Sequence, residues 1–298
     1  MAKYRAVELA VLYPGPLAGR LLAEWGFDVV KVEPPGGDPM RAYSPTLYRL
    51  LNEGKEVVVL DLKTEEGRRS LYDLVKGADA VLTSFRPAAA ERLGASYEQL
   101  SKVNPSITYV AVTGYESSNA PGHDINFAAV AGHLRDAPPI PQSVDVATGL
   151  MAAFAAAASI AAGRPGYFEI SMERVAYLLN LLNFAQIADG RAPQLTGGYP
   201  YYNVYSCAGG RVALGAVEPK FWERFCDLLG RPDLKARMLD PTAVAEVEGE
   251  TSRRSCAELL RRAEELDVPL SLVRPLEDAL RSVDLGTLLS RSSWAKRG

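Results

Sequence analysis

Short apolar runs and amphipathic stretches alternate through the first half of the chain. Residues 17–25 place leucines at helical spacing before Gly26, and residues 64–76 form a second helical pattern. The runs between these stretches are short and rich in β-branched residues, which is typical of buried strands. Because parallel strands need helical crossovers, the alternation predicts a parallel sheet with helices on both faces. The predicted strands are 6–12, 28–33, 56–60, 80–83 and 107–113.

The second half has longer helical patterns. A proline-rich connector at 137–141 precedes an alanine-rich helix at 146–162, and a long helical pattern follows at 172–186. The apolar segment 150–162 is shorter than the roughly 18 residues that a membrane span needs, so we interpret it as part of a buried helix.

A hairpin pattern marks a smaller domain near the C-terminal end. Two strand patterns flank a glycine turn, and further elements follow them. We therefore expect an α/β protein with a Rossmann-like large domain and linker helices at 1–203, a small α+β domain at 204–281 and a short tail at 282–298. The elements predicted for the small domain region are strands 201–207, 211–217 and 270–274 and helices 219–229 and 255–266.

The composition excludes several classes of function. The 298 residues include 33 Lys and Arg against 36 Asp and Glu, and this net charge of −3 gives no reason to expect nucleic acid or a membrane surface as a partner. Three widely spaced cysteines favour neither a disulfide framework nor a CxxC metal knuckle, and two histidines are too few for a His-rich metal site. The sequence contains no recognisable secretory leader, GxGxxG fingerprint or phosphate-binding GxxxxGK[ST] loop. We expect a cytoplasmic globular protein that binds no metal and lacks dinucleotide or nucleotide chemistry.

The densest group of chemically versatile side chains is the segment 121–127 (PGHDINF). His123 is expected near a helix N-terminus, whose dipole lowers the pKa of an imidazole. A neutral imidazole is a general base near physiological pH. The alternative is structural, with Asp124 or Asn126 as a helix cap and His123 as an ordinary loop residue.

Two carboxylates and two arginines are further candidates. Asp145 lies directly before the alanine-rich helix, so it either caps that helix or points into a cleft, and Glu218 ends a strand before a helix that begins with proline. Arg86 and Arg92 follow the strand at 80–83, and ligands of open α/β sheets bind beyond the carboxyl ends of strands. Arginine there can hold a phosphate, although two arginines on a helix are more often a solvated face.

A series of motifs in a fixed order resembles the family III CoA-transferases, which include formyl-CoA transferase, carnitine-CoA transferase and α-methylacyl-CoA racemase. The resemblance extends through most of the chain, and each motif is moderately specific. The motifs are YPGP at 13–16, AEWGFDVVKVE at 23–33, PGGDP at 35–39, VLDLKT at 59–64, FRP at 85–87, GHDIN at 122–126 and GAVEPKF at 215–221.

The residue after Gly122 separates two branches of that family. The transferases usually carry an aromatic residue there and use a later aspartate as a covalent nucleophile, whereas the racemase branch carries GHDIN, as this chain does. The resemblance therefore implies that His123 and Asp145 are an acid/base pair that inverts the α-carbon of a 2-methylacyl-CoA through an enolate, with Glu218 supporting the site. We expect backbone N–H groups at the start of the helix near Asp145 to stabilise the enolate oxygen.

The resemblance also implies the partners. The family forms interlocked homodimers, which we expect here, and CoA enters as part of the substrate, with no tightly bound cofactor. We expect the chain to stop soon after Val283, without the segment that in the family normally returns to the large domain. The residues implied in CoA binding are Arg86 and Arg92 near the phosphates, Asp61, Leu62 and Lys63 beside the adenine, and Arg41.

Two other functions stay open at this point. The first is a CoA-transferase that uses Asp145 as the nucleophile of an aspartyl-CoA anhydride. His123 argues against it, because a transferase needs no second proton donor on the opposite face of the substrate. The second is an inactive homologue that binds acyl-CoA.

Overall fold

The chain forms two compact units, Met1–Asn180 with Asp284–Gly298, and Leu181–Val283. The computed structural model describes residues 4–116, 120–134 and 141–294, so the predicted connector at 137–141 lies outside the described residues except for Pro141. The division falls earlier than the predicted boundary at 203/204. The long helical pattern at 172–186 forms two helices that are interrupted at Asn180, and the second of them belongs to the second unit.

The first unit contains six strands and most of the helices. The strands are β1 (Tyr4–Leu9), β2 (Phe27–Glu33), β3 (Glu56–Val59), β4 (Ala80–Thr83), β5 (Thr108–Thr113) and β6 (Gly166–Ser171). The helices of its N-terminal segment are α1 (Pro14–Glu24), α2 (Met40–Tyr43), α3 (Pro45–Asn52), α4 (Glu65–Lys76), α5 (Pro87–Arg92), α6 (Tyr97–Val103), α7 (Asp124–Val130), α8 (Ser143–Ala162) and α9 (Met172–Leu179).

The second unit is a small α+β unit with an antiparallel sheet. Its elements are α10 (Leu181–Ala188), β7 (Tyr202–Cys207), β8 (Gly210–Gly215), α11 (Pro219–Leu229), a 3₁₀ helix (Pro232–Arg237), α12 (Ala243–Ser252), α13 (Cys256–Glu265), β9 (Leu270–Leu272) and α14 (Leu276–Leu280). The hairpin of β7 and β8 is extended by β9, and its core is built around Trp222, Tyr205 and Phe225.

The sheet of the first unit is parallel throughout, in the order β3-β2-β1-β4-β5-β6. Alternate side chains of each central strand enter two different cores, because successive residues of a strand point to opposite faces. Ala6 of β1 packs in one core, whereas Val7 and Leu9 pack in the other. The predicted α/β class with a Rossmann-like sheet is therefore confirmed.

Strand β6 was not predicted from the sequence. It lies at the edge of the sheet beside β5, and most of its side chains are exposed or half-buried. Because an edge strand is partly exposed, its sequence lacks the continuous apolar run by which a buried parallel strand is recognised.

Helix α8 starts three residues earlier than predicted, and its 20 residues have a mean hydropathy of 1.7 over an 18-residue window. By length and composition alone it is long and apolar enough to cross a membrane. In the first unit it packs against α1 and β5, as a core helix does. Gly149 allows a close approach, because a Cβ there would lie 2.8 Å from the Pro14 carbonyl oxygen of α1.

The C-terminal segment returns to the first unit, which corrects the expectation that no such segment is present. Helix α15 (Arg291–Trp294) lies beside the end of α1. The backbone N–H of Arg291 donates to a Glu24 carboxylate oxygen at 2.6 Å, and the Arg291 guanidinium lies over the Trp25 ring.

A disulfide joins Cys207 and Cys256 in the second unit, so the expectation of unpaired cysteines was wrong for this pair. Backbone hydrogen bonds from Ala208 to Arg254 and from Cys256 to Ala208 bring the end of β7 against the start of α13. The two Cα atoms are 5.2 Å apart, within the range that a disulfide spans. The wide spacing in the sequence gave no sign of this proximity. Cys226 is a buried free thiol.

Four charged side chains are buried together between the sheet and α1. The carboxylate of Glu8 on β1 receives Lys31 from β2 at 2.9 Å and Lys55 at 2.6 Å. Asp38 is 3.0 Å from the Lys31 ammonium. These four side chains, which we call the buried ion cluster, balance in charge, and paired charges avoid the large cost of burying a lone one.

The two lysines of the buried ion cluster respond differently to burial. Burial alone lowers the pKa of Lys31, but the carboxylates of Glu8 and Asp38 outweigh it and the pKa is raised. Burial lowers the pKa of Lys55 to about 8, against the opposing effect of Glu8. Both ammonium groups also donate to backbone carbonyls, Lys31 to Ala10 and Lys55 to Pro16.

Gly19 gives α1 its close contact with the buried ion cluster, since a Cβ at this position would lie 1.8 Å from a Glu8 carboxylate oxygen. We therefore expect Gly19→Ala to lower the free energy of unfolding by about 1–3 kcal/mol, the usual cost of overpacking. Chemical denaturation of the purified variant measures this.

Gly249→Ala is the matched control, because Gly249 lies inside α12 with no atom within 4 Å of a built Cβ. Alanine there should raise the free energy of unfolding by up to about 1 kcal/mol through helix propensity. Equal effects of the two substitutions would contradict the packing that we describe around Glu8.

Candidate active site

A cavity of about 590 Å³ lies at the carboxyl-terminal edge of the parallel sheet. Its walls come mainly from the segments that follow β1, β4 and β5, where ligands of open α/β sheets bind. The volume is typical of a small-molecule site. The lining residues are Val11, Leu12, Tyr13, Pro14, Ser84, Phe85, Arg86, Pro87, Val112, Thr113, Gly114, Tyr115, Glu116, Ala120, Gly122, His123, Asp145, Glu169 and Met172.

His123 lines this cavity from the N-cap position of α7. Its backbone N–H donates to the Asn126 side-chain oxygen at 3.0 Å, so this amide closes the first turn of the helix. Phe127 is fully buried beneath the turn and approaches Gly122 closely: a Cβ at 122 would lie 2.7 Å from its ring. The local packing thus leaves the imidazole exposed at the cavity wall.

Asp145 also lines the cavity, as the third residue of α8. It does not cap its helix, because another carboxylate does so. One oxygen of the buried Asp124 accepts the backbone N–H groups of Val144 at 2.8 Å and Asp145 at 2.9 Å. The sequence indicated Asp124 only as one alternative for the cap of its own helix, and its role at α8 was not predicted. The contact between α7 and α8 places His123 and Asp145 in one cavity.

The environment of Asp145 makes its carboxyl group titrate near neutrality. Burial and, to a smaller extent, the negative charge of Asp124 raise its pKa to about 6, against the opposing effect of His123. A carboxyl group with this pKa can accept a proton and return it near physiological pH.

The start of α8 does not supply the expected donors for an enolate oxygen. The N–H groups of Val144 and Asp145 bond to Asp124. Those of Ser143 and Val146 bond to the carbonyls of Pro141 and Gln142. The first four N–H groups of the helix are therefore occupied, which corrects the expectation that they stabilise the enolate.

Of the other residues that the sequence indicated for the reaction site and the CoA phosphates, one lines the cavity and two do not. Arg86 lines the cavity at the N-cap position of α5, whereas Arg92 is exposed in the last turn of that helix and is not a lining residue. Glu218 belongs to the second unit, where it is exposed at the N-cap position of α11.

The other residues implied in CoA binding lie near the ends of β2 and β3, on the same edge of the sheet. The Arg41 guanidinium pairs with both carboxylate oxygens of Glu33, at 2.9 and 3.2 Å, and lies over the Tyr48 ring. Asp61 and the exposed Lys63 form the turn before α4, and Leu62 is buried in the core. None of these residues lines the cavity itself.

Within the ranges 4–116, 120–134 and 141–294, no group of three or more His, Cys, Asp or Glu side chains is arranged to hold a metal ion.

The sequence model of CoA-transferase family III matches residues 1–288. The chain belongs to this family. Other family III members include the human α-methylacyl-CoA racemase, which is 33% identical over 75% of this chain and 63% of its own length. The acetyl-CoA:oxalate CoA-transferase of Acetobacter aceti is 27% identical over 98% of this chain and 84% of its own length.

A solved structure in family III supports the same fold. The probable fatty acyl-CoA transferase Rv3272 of Mycobacterium tuberculosis is 32% identical in sequence over 78% of this chain and 69% of its own length. A crystal structure of Rv3272 superimposes with a TM-score of 0.83 over 96% of this chain and 86% of that chain, at 26% identity. Members of family III thus carry the names of both transferases and a racemase.

Asp124→Asn tests the electrostatic account of this family III site. Asparagine retains the oxygen that caps α8 but removes the negative charge that helps to raise the pKa of Asp145. We expect the pKa of Asp145 to fall below about 6 toward the ordinary aspartate value, while burial keeps part of the increase. Carbon-13 NMR titration of the aspartate carboxyl groups measures it, and an unchanged pKa would contradict the assigned contribution of Asp124.

Proposed function

We propose that this family III protein is a racemase or epimerase that inverts the α-carbon of a 2-methyl-branched acyl-CoA. The observation that carries the proposal is the shared cavity of His123 and Asp145, with Asp145 titrating at about 6. Inversion needs one group to remove a proton and another to return one from the opposite face. An imidazole and a near-neutral carboxyl group are suited to exchange these two roles.

The proton balance of the reaction is simple. One group of the pair takes the α-proton, the C–H electron pair forms the enolate double bond, and the carbonyl π electrons move to the thioester oxygen. The conjugate acid of the other group then returns a proton to the opposite face. In the reverse direction the two roles exchange, so no net proton is gained or lost.

The other predicted residues take supporting roles in this proposal. Arg86, at the cavity, and Arg92 bind the CoA phosphates, and Asp61, Leu62 and Lys63 border the adenine, with Arg41 beside the same edge of the sheet. Glu218 supports the reaction site. CoA enters as part of the substrate.

Deuterium incorporation from heavy water tests the reaction. A pure enantiomer of 2-methylacyl-CoA should exchange its α-hydrogen and lose optical purity without any acceptor acid. His123→Ala and Asp145→Ala should each slow the loss of optical purity by at least about 10²-fold, because inversion needs both proton-transfer groups. Circular dichroism of the variants checks that the fold survives. Full activity in both variants would contradict the assignment of the pair.

The transferases among the relatives favour a second candidate, a CoA-transferase with Asp145 as the nucleophile. The same assay separates the two reactions. If turnover requires an added carboxylic acid and no α-hydrogen exchanges, the protein is a transferase and the racemase proposal is wrong. An inactive homologue would bind acyl-CoA and show neither reaction.

We propose further that the protein is a homodimer. Each unit has exposed apolar side chains. In the first unit these include Leu150 and Phe154 on α8, and Phe154 is 66% exposed. In the second unit they include Leu181 and Leu182 on α10. Helix α10 has no buried residue, although its sequence is strongly apolar. Apolar surface of this kind on a soluble chain indicates a protein interface. Light scattering should give a mass near twice 32.2 kDa, and a mass near 32.2 kDa would contradict the dimer.

A further inference from the structure

An enolate oxygen in the cavity needs a hydrogen-bond donor, and α8 does not provide one. All four N–H groups of its first turn are bonded to Asp124 or to backbone carbonyls. A negative charge that develops on oxygen in a partly buried site is costly unless a donor is already in place. The donor must therefore come from another element of the cavity wall.

Tyr13 is a donor in the same cavity, at the N-cap position of α1. Burial raises the pKa of its hydroxyl, and the negative charge of Asp145 raises it further, so the phenol keeps its proton at physiological pH. Tyr13 also lines the same cavity as Asp145, the carboxyl group proposed to act at the α-carbon. The thioester oxygen is two bonds from that carbon, so a donor in this cavity wall is suitably placed to reach it.

The backbone before Tyr13 is held in a conformation that a leucine rarely adopts. Leu12 has a φ of 70°, in the left-handed region where a side chain crowds the backbone. Its N–H donates to an Asp38 carboxylate oxygen at 3.2 Å, and Asp38 is anchored by Lys31 in the buried ion cluster. Such strain persists only where surrounding contacts enforce it, and it concentrates at functional sites. Here it turns the chain at the cavity wall directly before Tyr13.

We propose that Tyr13 is a further catalytic residue, whose hydroxyl donates a hydrogen bond to the thioester oxygen of the bound acyl-CoA. The inference rests on the proposed enolate chemistry. When the α-proton moves to the base, the carbonyl π electrons move to oxygen and the hydrogen bond from Tyr13 strengthens. The phenol keeps its proton throughout, so the proton balance between His123 and Asp145 is unchanged.

Three other hydroxyls in the cavity are weaker candidates. The Thr113 hydroxyl donates to a Glu169 carboxylate oxygen at 2.7 Å, so its hydrogen is already engaged. The Ser84 side-chain oxygen already accepts the backbone N–H of Val11 at 3.2 Å, which fixes it against the loop. Tyr115 packs its ring against Phe127, with 4.9 Å between the ring centroids.

Tyr13→Phe removes the hydroxyl and retains the ring. We expect kcat for α-hydrogen exchange to fall about 10²–10³-fold, the usual effect of losing one oxyanion donor, while KM changes less than threefold. Tyr43→Phe is the control for loss of a phenol, because Tyr43 is 84% exposed on α2, and its activity should be unchanged. An unaltered kcat in Tyr13→Phe would overturn the assignment. So would a fall in kcat of about 10²–10³-fold that occurs in Tyr115→Phe but not in Tyr13→Phe.

A binding measurement separates this inference from the proposed reaction. Acetoacetyl-CoA forms a stable enolate, so it probes the oxyanion donor without turnover. Tyr13→Phe should weaken binding of this enolate at least about tenfold, as expected for a hydrogen bond to a charged group, and leave the dissociation constant of free CoA unchanged. If the unmodified protein binds the enolate through Tyr13 but catalyses no exchange, the racemase proposal is rejected and Tyr13 remains a hydrogen-bond donor. If the unmodified protein catalyses exchange and Tyr13→Phe changes neither the rate nor enolate binding, only the role of Tyr13 is rejected. The role of Tyr13 is also rejected if the unmodified protein does not bind the enolate.

Discussion

The buried ion cluster is the constraint on which the rest of the first unit depends. Glu8 carries a negative charge into the centre of the sheet, and Lys31 and Lys55 neutralise it from two neighbouring segments. Asp38 pairs with Lys31 and also holds the backbone of Leu12 at the cavity wall. A buried ion pair contributes little net stability compared with an apolar core, but breaking one is costly, so the partners are fixed relative to one another. The cluster thus links the packing of the sheet to the shape of the loop that carries Tyr13.

A second arrangement of charges sets the chemistry of the cavity. Two aspartates, Asp124 and Asp145, lie at the start of α8, and their carboxyl groups have different roles because their environments differ. Asp124 is buried and satisfied by two backbone N–H groups. Among the residues that the structure describes, no backbone N–H donates to the Asp145 carboxylate, and burial beside the charge of Asp124 raises its pKa to about 6. One carboxylate therefore caps the helix, and the other lies at the wall of the cavity that His123 also lines.

Local patterns in the sequence were sufficient for most of the fold. Strand β4 and helix α11 have the predicted bounds, because a short apolar run and a proline-initiated amphipathic helix are local signals. Contacts between distant segments were not predictable in this way. The Cys207–Cys256 disulfide and the capping of α8 by Asp124 each join residues brought together only by the tertiary fold. The motif around Gly122 identified His123 as a candidate, and the position before the alanine-rich helix identified Asp145. Only the structure shows that both line the same cavity and that Tyr13 lines it too.

The central claim is that His123 and Asp145 address one carbon atom from opposite faces. A crystal structure of the protein with a bound 2-methylacyl-CoA tests it most directly. The account predicts the α-carbon between the imidazole and the Asp145 carboxyl group, with both within about 3–3.5 Å, the separation of groups positioned for reaction. A thioester whose carbonyl carbon, rather than its α-carbon, faces Asp145, with His123 remote from the substrate, would contradict it.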